Sequence, residues 1–96
     1  MARTAYRIDL GPVEVFFSYD VVVGIAEVPM TESGRVTGPR ESWFVQNEWS
    51  NTTGRHISAF RQAVGGNPPL PQEEFRAKVK AVMAAYGLRP PKLEYF

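Results

Sequence analysis

The sequence predicts an α+β domain: an antiparallel sheet of three to four strands in meander order, followed by two α-helices packed on one face. Three observations carry this. Apolar residues alternate with a period of two through the first half of the chain. The period changes to about 3.6 in the second half, and Gly, Pro, Asn and Ser cluster at the segment boundaries.

Ala5 to Leu10 sets Tyr6, Ile8 and Leu10 on one face and Ala5, Arg7 and Asp9 on the other, the pattern of a half-buried strand. Gly11-Pro12 forces a turn, and Val13, Val15, Phe17 and Tyr19 resume the alternation as the second arm of a hairpin. Val21 to Val28 is apolar on both faces, as in a central strand, and a turn is expected around Ser18 to Asp20, with one bulged continuous strand as the alternative. Residues 29–39, polar and rich in turn formers, form a long mobile hairpin loop closing at Ser33-Gly34. Arg40 to Trp49 is the last strand. A helix from about Thr53 to Val64 carries Ile57, Phe60 and Val64 on one stripe and stops at Gly65-Gly66. Asn67 to Pro71 is a stiff connector. The second helix, Gln72 to Tyr86, has Phe75, Val79, Val82, Met83 and Tyr86 on its apolar face, Glu73 and Glu74 at its start and Gly87 at its end. Residues 89–96 are an extended, proline-stiffened tail.

At 96 residues one domain spanning 1–96 is expected. A 44% hydrophobic, 22% charged composition supports a packed core and argues against a disordered chain. With no cysteine and His56 the single histidine, disulfides and thiol chemistry are excluded and a zinc centre is disfavoured; no metal or cofactor is expected. The longest apolar stretch, Val21 to Ala26, is far short of a membrane span, so the expectation is a cytoplasmic protein with no membrane partner. Net charge is +1 but unevenly placed. Residues 1–48 carry four basic and seven acidic side chains, for −3, and residues 49–96 seven basic and three acidic, for +4. That balance excludes a strongly acidic nucleic-acid mimic and leaves a basic C-terminal face as a candidate.

The densest cluster of polar chemistry is the strand-to-helix junction Trp49-Ser50-Asn51-Thr52-Thr53-Gly54-Arg55-His56. A helix start exposes unpaired N–H groups and a partial positive charge, which suits a phosphate or carboxylate. Ser50, Thr52 and Thr53 offer hydroxyls, Gly54 close backbone approach, and Arg55 and His56 charge; these six are the candidate anion site. The same residue types also serve simply as helix caps, and the spacing is not that of a Walker loop. His56 borders the apolar stripe near Phe60, the place of a structural histidine; as a general base it would need a partner such as Glu48 or Asp20. No catalytic residues are assigned. Arg61, Arg76 and Lys80 are a candidate basic surface, the last two sharing a helix face by their four-residue spacing, and such bases equally keep an ordinary surface soluble. With both helices on one face of the sheet, Phe16, Phe44 and Val22 point to the other, an apolar patch that marks a dimer or partner surface unless the tail or the long loop covers it. Phe16, Tyr19, Phe44, Tyr95 and Phe96 are therefore the candidate partner-contacting residues.

Phe17-Ser18-Tyr19 followed by Val23, then Trp49-Ser50, Thr52-Thr53 and His56-Ile57, resembles a Phe-Ser-Tyr … Trp-Ser-x-Thr-Thr-x-x-His pattern of small uncharacterised domains encoded by phages and mobile elements. The likeness spans about residues 13–60 and its motifs are short. It implies a phage or prophage origin, hence the host cytoplasm. It also implies that Ser18, Tyr19, Ser50, Thr52, Thr53 and His56 act together, as a shared site or as a hydrogen-bonded brace between sheet and helix. The expected function is a non-enzymatic recognition protein that binds an anionic partner, nucleic acid or a phosphorylated ligand, through the junction. The alternative is a phage-encoded inhibitor of a host defence protein or enzyme acting through an apolar surface, and a third reading is a hydrolase or transferase using His56.

Overall fold

Turn chemistry sets the sheet. In the computed structural model, which describes residues 5–19, 21–47 and 51–88, Gly11-Pro12 joins β1 (Ala5–Asp9) to β2 (Val13–Ser18) in a two-residue loop closed by Leu10 N–H donating to the Val13 carbonyl at 2.8 Å. Gly11 has φ +88°, a conformation that only glycine adopts without strain, and its N–H donates to Asp9 Oδ1. β3 (Val21–Glu27) follows immediately, and β4 (Glu41–Phe44) completes an antiparallel sheet in the order β1-β2-β3-β4. The loop between β3 and β4 is a small hairpin in its own right, with Met30 bridged to Val36 and Gly34 at φ +87° in its turn. The antiparallel meander and the two following helices, α1 (Asn51–Val64) and α2 (Gln72–Ala85), are the expected fold class. No helix among the described residues is long and apolar enough to cross a membrane.

The placement of the helices corrects the sequence reading. Trp43 and Phe44 are neighbours on β4, so their side chains point to opposite faces. The Phe60 ring of α1 lies 5.0 Å from Phe16 and 6.4 Å from Phe44, centroid to centroid, whereas Lys78 of α2 sits 4.0 Å over the Trp43 ring. One helix therefore covers each face. By register Val13, Val15 and Ile25 lie on the Trp43 side, buried in one core with Phe75, Val79, Val82 and Met83 of α2. Phe16 and Phe44 are 1% and 0% exposed, so the expected apolar partner surface, and a homodimer through an open sheet face, are ruled out at these two residues: they are the floor on which α1 packs. Val22 leaves their face altogether. The register shifts between Phe16, paired with Gly24, and Phe17, paired with Val22; Val23 is the extra residue, and Val22 falls on Phe17's side.

The connector makes this crossing possible. α1 stops at Gly65, φ +68°, and Asn67 N–H donates to the Ser42 carbonyl at 3.0 Å, Leu70 N–H to Phe44 at 2.8 Å, and Gln46 N–H to Leu70 at 2.8 Å. Residues 67–70 thus run along the free edge of β4, with a parallel bridge between Val45 and Leu70, and carry the chain from one face to the other. α2 ends in the 6→1 and 5→2 hydrogen bonds of a Schellman motif, Leu88 to Met83 and Gly87 to Ala84, with Gly87 at φ +66°. On the α1 side, Glu14 is buried, and its carboxylate is held by Arg40 at 2.5 Å and Arg7 at 3.4 Å. Two guanidinium groups compensate the desolvation that a lone carboxylate would suffer there.

Candidate functional site

Helix geometry divides the junction cluster. α1 begins at Asn51, two residues earlier than its apolar stripe suggests, so residues 51–56 already turn by 100° per step. Thr53 and His56 point inward, Thr52 outward into solvent, and Gly54 and Arg55 toward the flank of α1 that faces Asn47 and Pro69. The candidate anion residues are therefore not gathered at one point. Ser50, along with Trp49, Glu48 and Asp20, lies outside the described residues, as do Tyr95 and Phe96.

On the inward side, Ser18 at the end of β2 is 1% exposed, and its Oγ donates to Thr53 Oγ1 at 3.1 Å and meets His56 Nδ1 at 2.7 Å. Thr53 is buried too and His56 is half-buried, so the three polar groups tie the second strand to the first two turns of α1 beneath the surface. Tyr19 follows Ser18 with φ +55°, the one non-glycine residue with positive φ among those described. The conformation closes the tight β2–β3 turn and lifts the ring, 46% exposed, to 5.8 Å from the imidazole of His56. His56 thus finds its partner in Ser18, a pairing that only the motif resemblance had grouped.

On the outer flank, Asn47, Asn51, Gly54, Arg55, Ser58, Arg61 and Gln62 line an open groove of about 690 Å³ whose apolar wall is Val45, Ile57 and Pro69. A smaller hollow of about 220 Å³ shares Ser58, Arg61 and Gln62 and reaches Gly66. Among the described residues no carboxylate lines either one, and the first turn of α1 carries no acidic residue to offset its positive end. Arg61 Nε is buried with no acceptor among the described residues. Gly54 makes room for Asn47: a Cβ there would stand 2.8 Å from Asn47 Nδ2. Arg61, expected on an exposed basic surface with Arg76 and Lys80, is instead half-buried in this groove, while the other two belong to the helix on the opposite face of the sheet. Asn47, Asn51, Ser58 and Gln62 were not singled out in the sequence. Asn51, Arg55, Ser58 and Gln62, three and four residues apart, form one polar, acid-free stripe, and that spacing was the available signal.

Among the described residues no group of His, Cys, Asp and Glu is placed to hold a metal ion. Compared with protein-family models, with curated proteins and with solved structures, the chain yields no match.

Proposed function

We propose that this is a phage-type, non-enzymatic recognition protein whose α1 flank binds a phosphate-bearing partner, with a single nucleic-acid strand the form that suits it best. The groove from Asn51 toward Gly66 carries the reading: it presents two guanidinium groups and several neutral hydrogen-bond donors, with no carboxylate among its described lining residues. A helix of 14 residues is about 21 Å long, so a groove along it favours a run of phosphates over one isolated anion. Planar guanidinium groups pair well with phosphate oxygens, and amide and hydroxyl groups add hydrogen bonds without sequence selectivity. Burial of Ser18 supports the non-enzymatic side of the reading, because a nucleophile has to reach its substrate and this hydroxyl is spent on the brace.

The test is fluorescence anisotropy with a labelled single-stranded oligonucleotide, repeated across salt concentrations. Binding should weaken steeply with salt. Replacing both Arg55 and Arg61 with alanine should flatten the log–log slope by roughly 1.4, the contribution of two phosphate contacts on a single strand. Absence of binding at low salt, or affinity indifferent to salt, would refute the proposal. Competition by inorganic phosphate at modest concentration would assign the groove to a small phosphorylated ligand.

A further inference from the structure

β1 ends the sheet, and no described strand pairs with its outer edge. The hairpin hydrogen bond from Leu10 N–H to Val13 fixes which backbone groups that edge offers. Alternate residues of an antiparallel ladder turn their N–H and C=O groups to opposite sides. Leu10, Ile8 and Tyr6 therefore spend theirs on β2, and Arg7, Asp9 and Ala5 direct theirs outward. Side chains follow the same alternation. Tyr6, Ile8 and Leu10 share one face, with Tyr6 stacked on Phe17 at 4.8 Å and Ile8 and Leu10 left 44% and 40% exposed; Arg7 and Asp9 share the other.

We propose that a second copy of this chain pairs with β1 in antiparallel fashion about a two-fold axis at Ile8, joining two sheets into one. In that register each Arg7 faces the partner's Asp9, and these are the residues whose outward N–H and C=O groups exchange the new ladder bonds. On the apolar face Ile8 meets its own copy and each Tyr6 meets the partner's Leu10, which buries the exposed apolar side chains of the edge. Backbone pairing with the outward groups allows only shifts of whole residue pairs, and the neighbouring centres put like charges together: Arg7 against Arg7, or Asp9 against Asp9. Edge strands of natural proteins usually discourage self-pairing by charge. Here the charge pattern is complementary to its own reverse. Arg7 can take part because its side chain is 58% exposed while Arg40 keeps hold of Glu14.

The absence of cysteine allows a direct measurement of register. Ile8 would face its copy in a non-hydrogen-bonded pair, with Cα atoms about 4.5 Å apart, within disulfide reach. The two Leu10 copies would be four residues out of register, about 13 Å along the strand, beyond it. Under mild oxidation Ile8→Cys should yield a covalent dimer on a non-reducing gel, and the comparably exposed Leu10→Cys should not. Independently, Arg7→Asp and Asp9→Arg should each sediment as monomers, while an equimolar mixture of the two regains the dimer, since every cross-strand pair in the mixed species is again opposite in charge. Equal cross-linking of both cysteine variants, dimers from either charge variant alone, a mixture that stays monomeric, or a wild-type protein monomeric at its highest attainable concentration would each overturn the proposal.

Discussion

Ser18 has one hydroxyl proton and two polar neighbours. With that proton given to Thr53 Oγ1, its lone pair accepts from Nδ1–H of His56, and the imidazole is left with Nε2 turned away from the brace. Ser18→Ala removes both contacts in a buried place, so it should lower unfolding stability by about 1–3 kcal/mol in a urea titration. An unchanged midpoint would mean that the brace contributes nothing. Tyr19 supplies the opposite case: a left-handed backbone at a side-chain-bearing residue costs about 1–2 kcal/mol, against the 0.5–1 kcal/mol entropic cost of glycine. Tyr19→Gly should therefore leave stability level or raised by up to about 1 kcal/mol. A clear loss would show that the ring contact with His56 outweighs the strain. The polar density between Ser50 and His56 is plain in the sequence, but its division is not. Thr53 to His56 are helical with either start, and what the start decides is whether residues 51 and 52 join the 100° rotation; no cap signal in so uniformly polar a run selects the first residue.

At the scale of elements, strands and helices were legible because each has a single dominant period and is bounded by Gly or Pro. β4 fell short of its expected span: its ladder with β3 ends at Phe44, after which Val45 N–H still donates to Val23 but Gln46 N–H goes to the connector residue Leu70, and residues 48 and 49 lie outside the described residues. The face that each helix covers was harder to read. β2 and β3 bury apolar residues on both sides, which demands two covers, yet strand alternation alone does not say which helix goes where. α2 holds its face partly through Tyr86, just beyond its end. Partial burial pushes the Tyr86 hydroxyl above the ordinary tyrosine value, and hydrogen bonding to the Glu27 carboxylate and its negative charge act in the same direction. The folded chain thus keeps this proton more tightly than the unfolded one. The contribution is complete below about pH 10 and is lost as pH rises through the raised value. Chemical denaturation between pH 8 and about 11 should show stability falling at the alkaline end, and Tyr86→Phe should blunt that fall. An identical alkaline slope in the variant would place the titration elsewhere.

In the whole molecule, α1 is shared between two tasks: its inner stripe seals Phe16 and Phe44, and its outer flank supplies the groove. Charge changes at Arg55 should thus alter oligonucleotide affinity with little effect on melting temperature, whereas the two proposed interactions, at the groove and at β1, should fail independently of each other. The spacing of the groove stripe and the alternation of β1 are local patterns, but which flank of α1 stays open and which edge of the sheet stays unpaired are set by tertiary placement, so residue order did not single out either surface. The connector along β4 has a further consequence. By taking the outward carbonyls of Ser42 and Phe44 and the N–H of Gln46, residues 67–70 line that end of the sheet, so among the described strands β1 is the edge left open to strand addition. Edge-to-edge stacking of copies is thereby discouraged from growing into a fibre: a pair joined through its two β1 strands would present at each remaining end an edge already lined by its own connector.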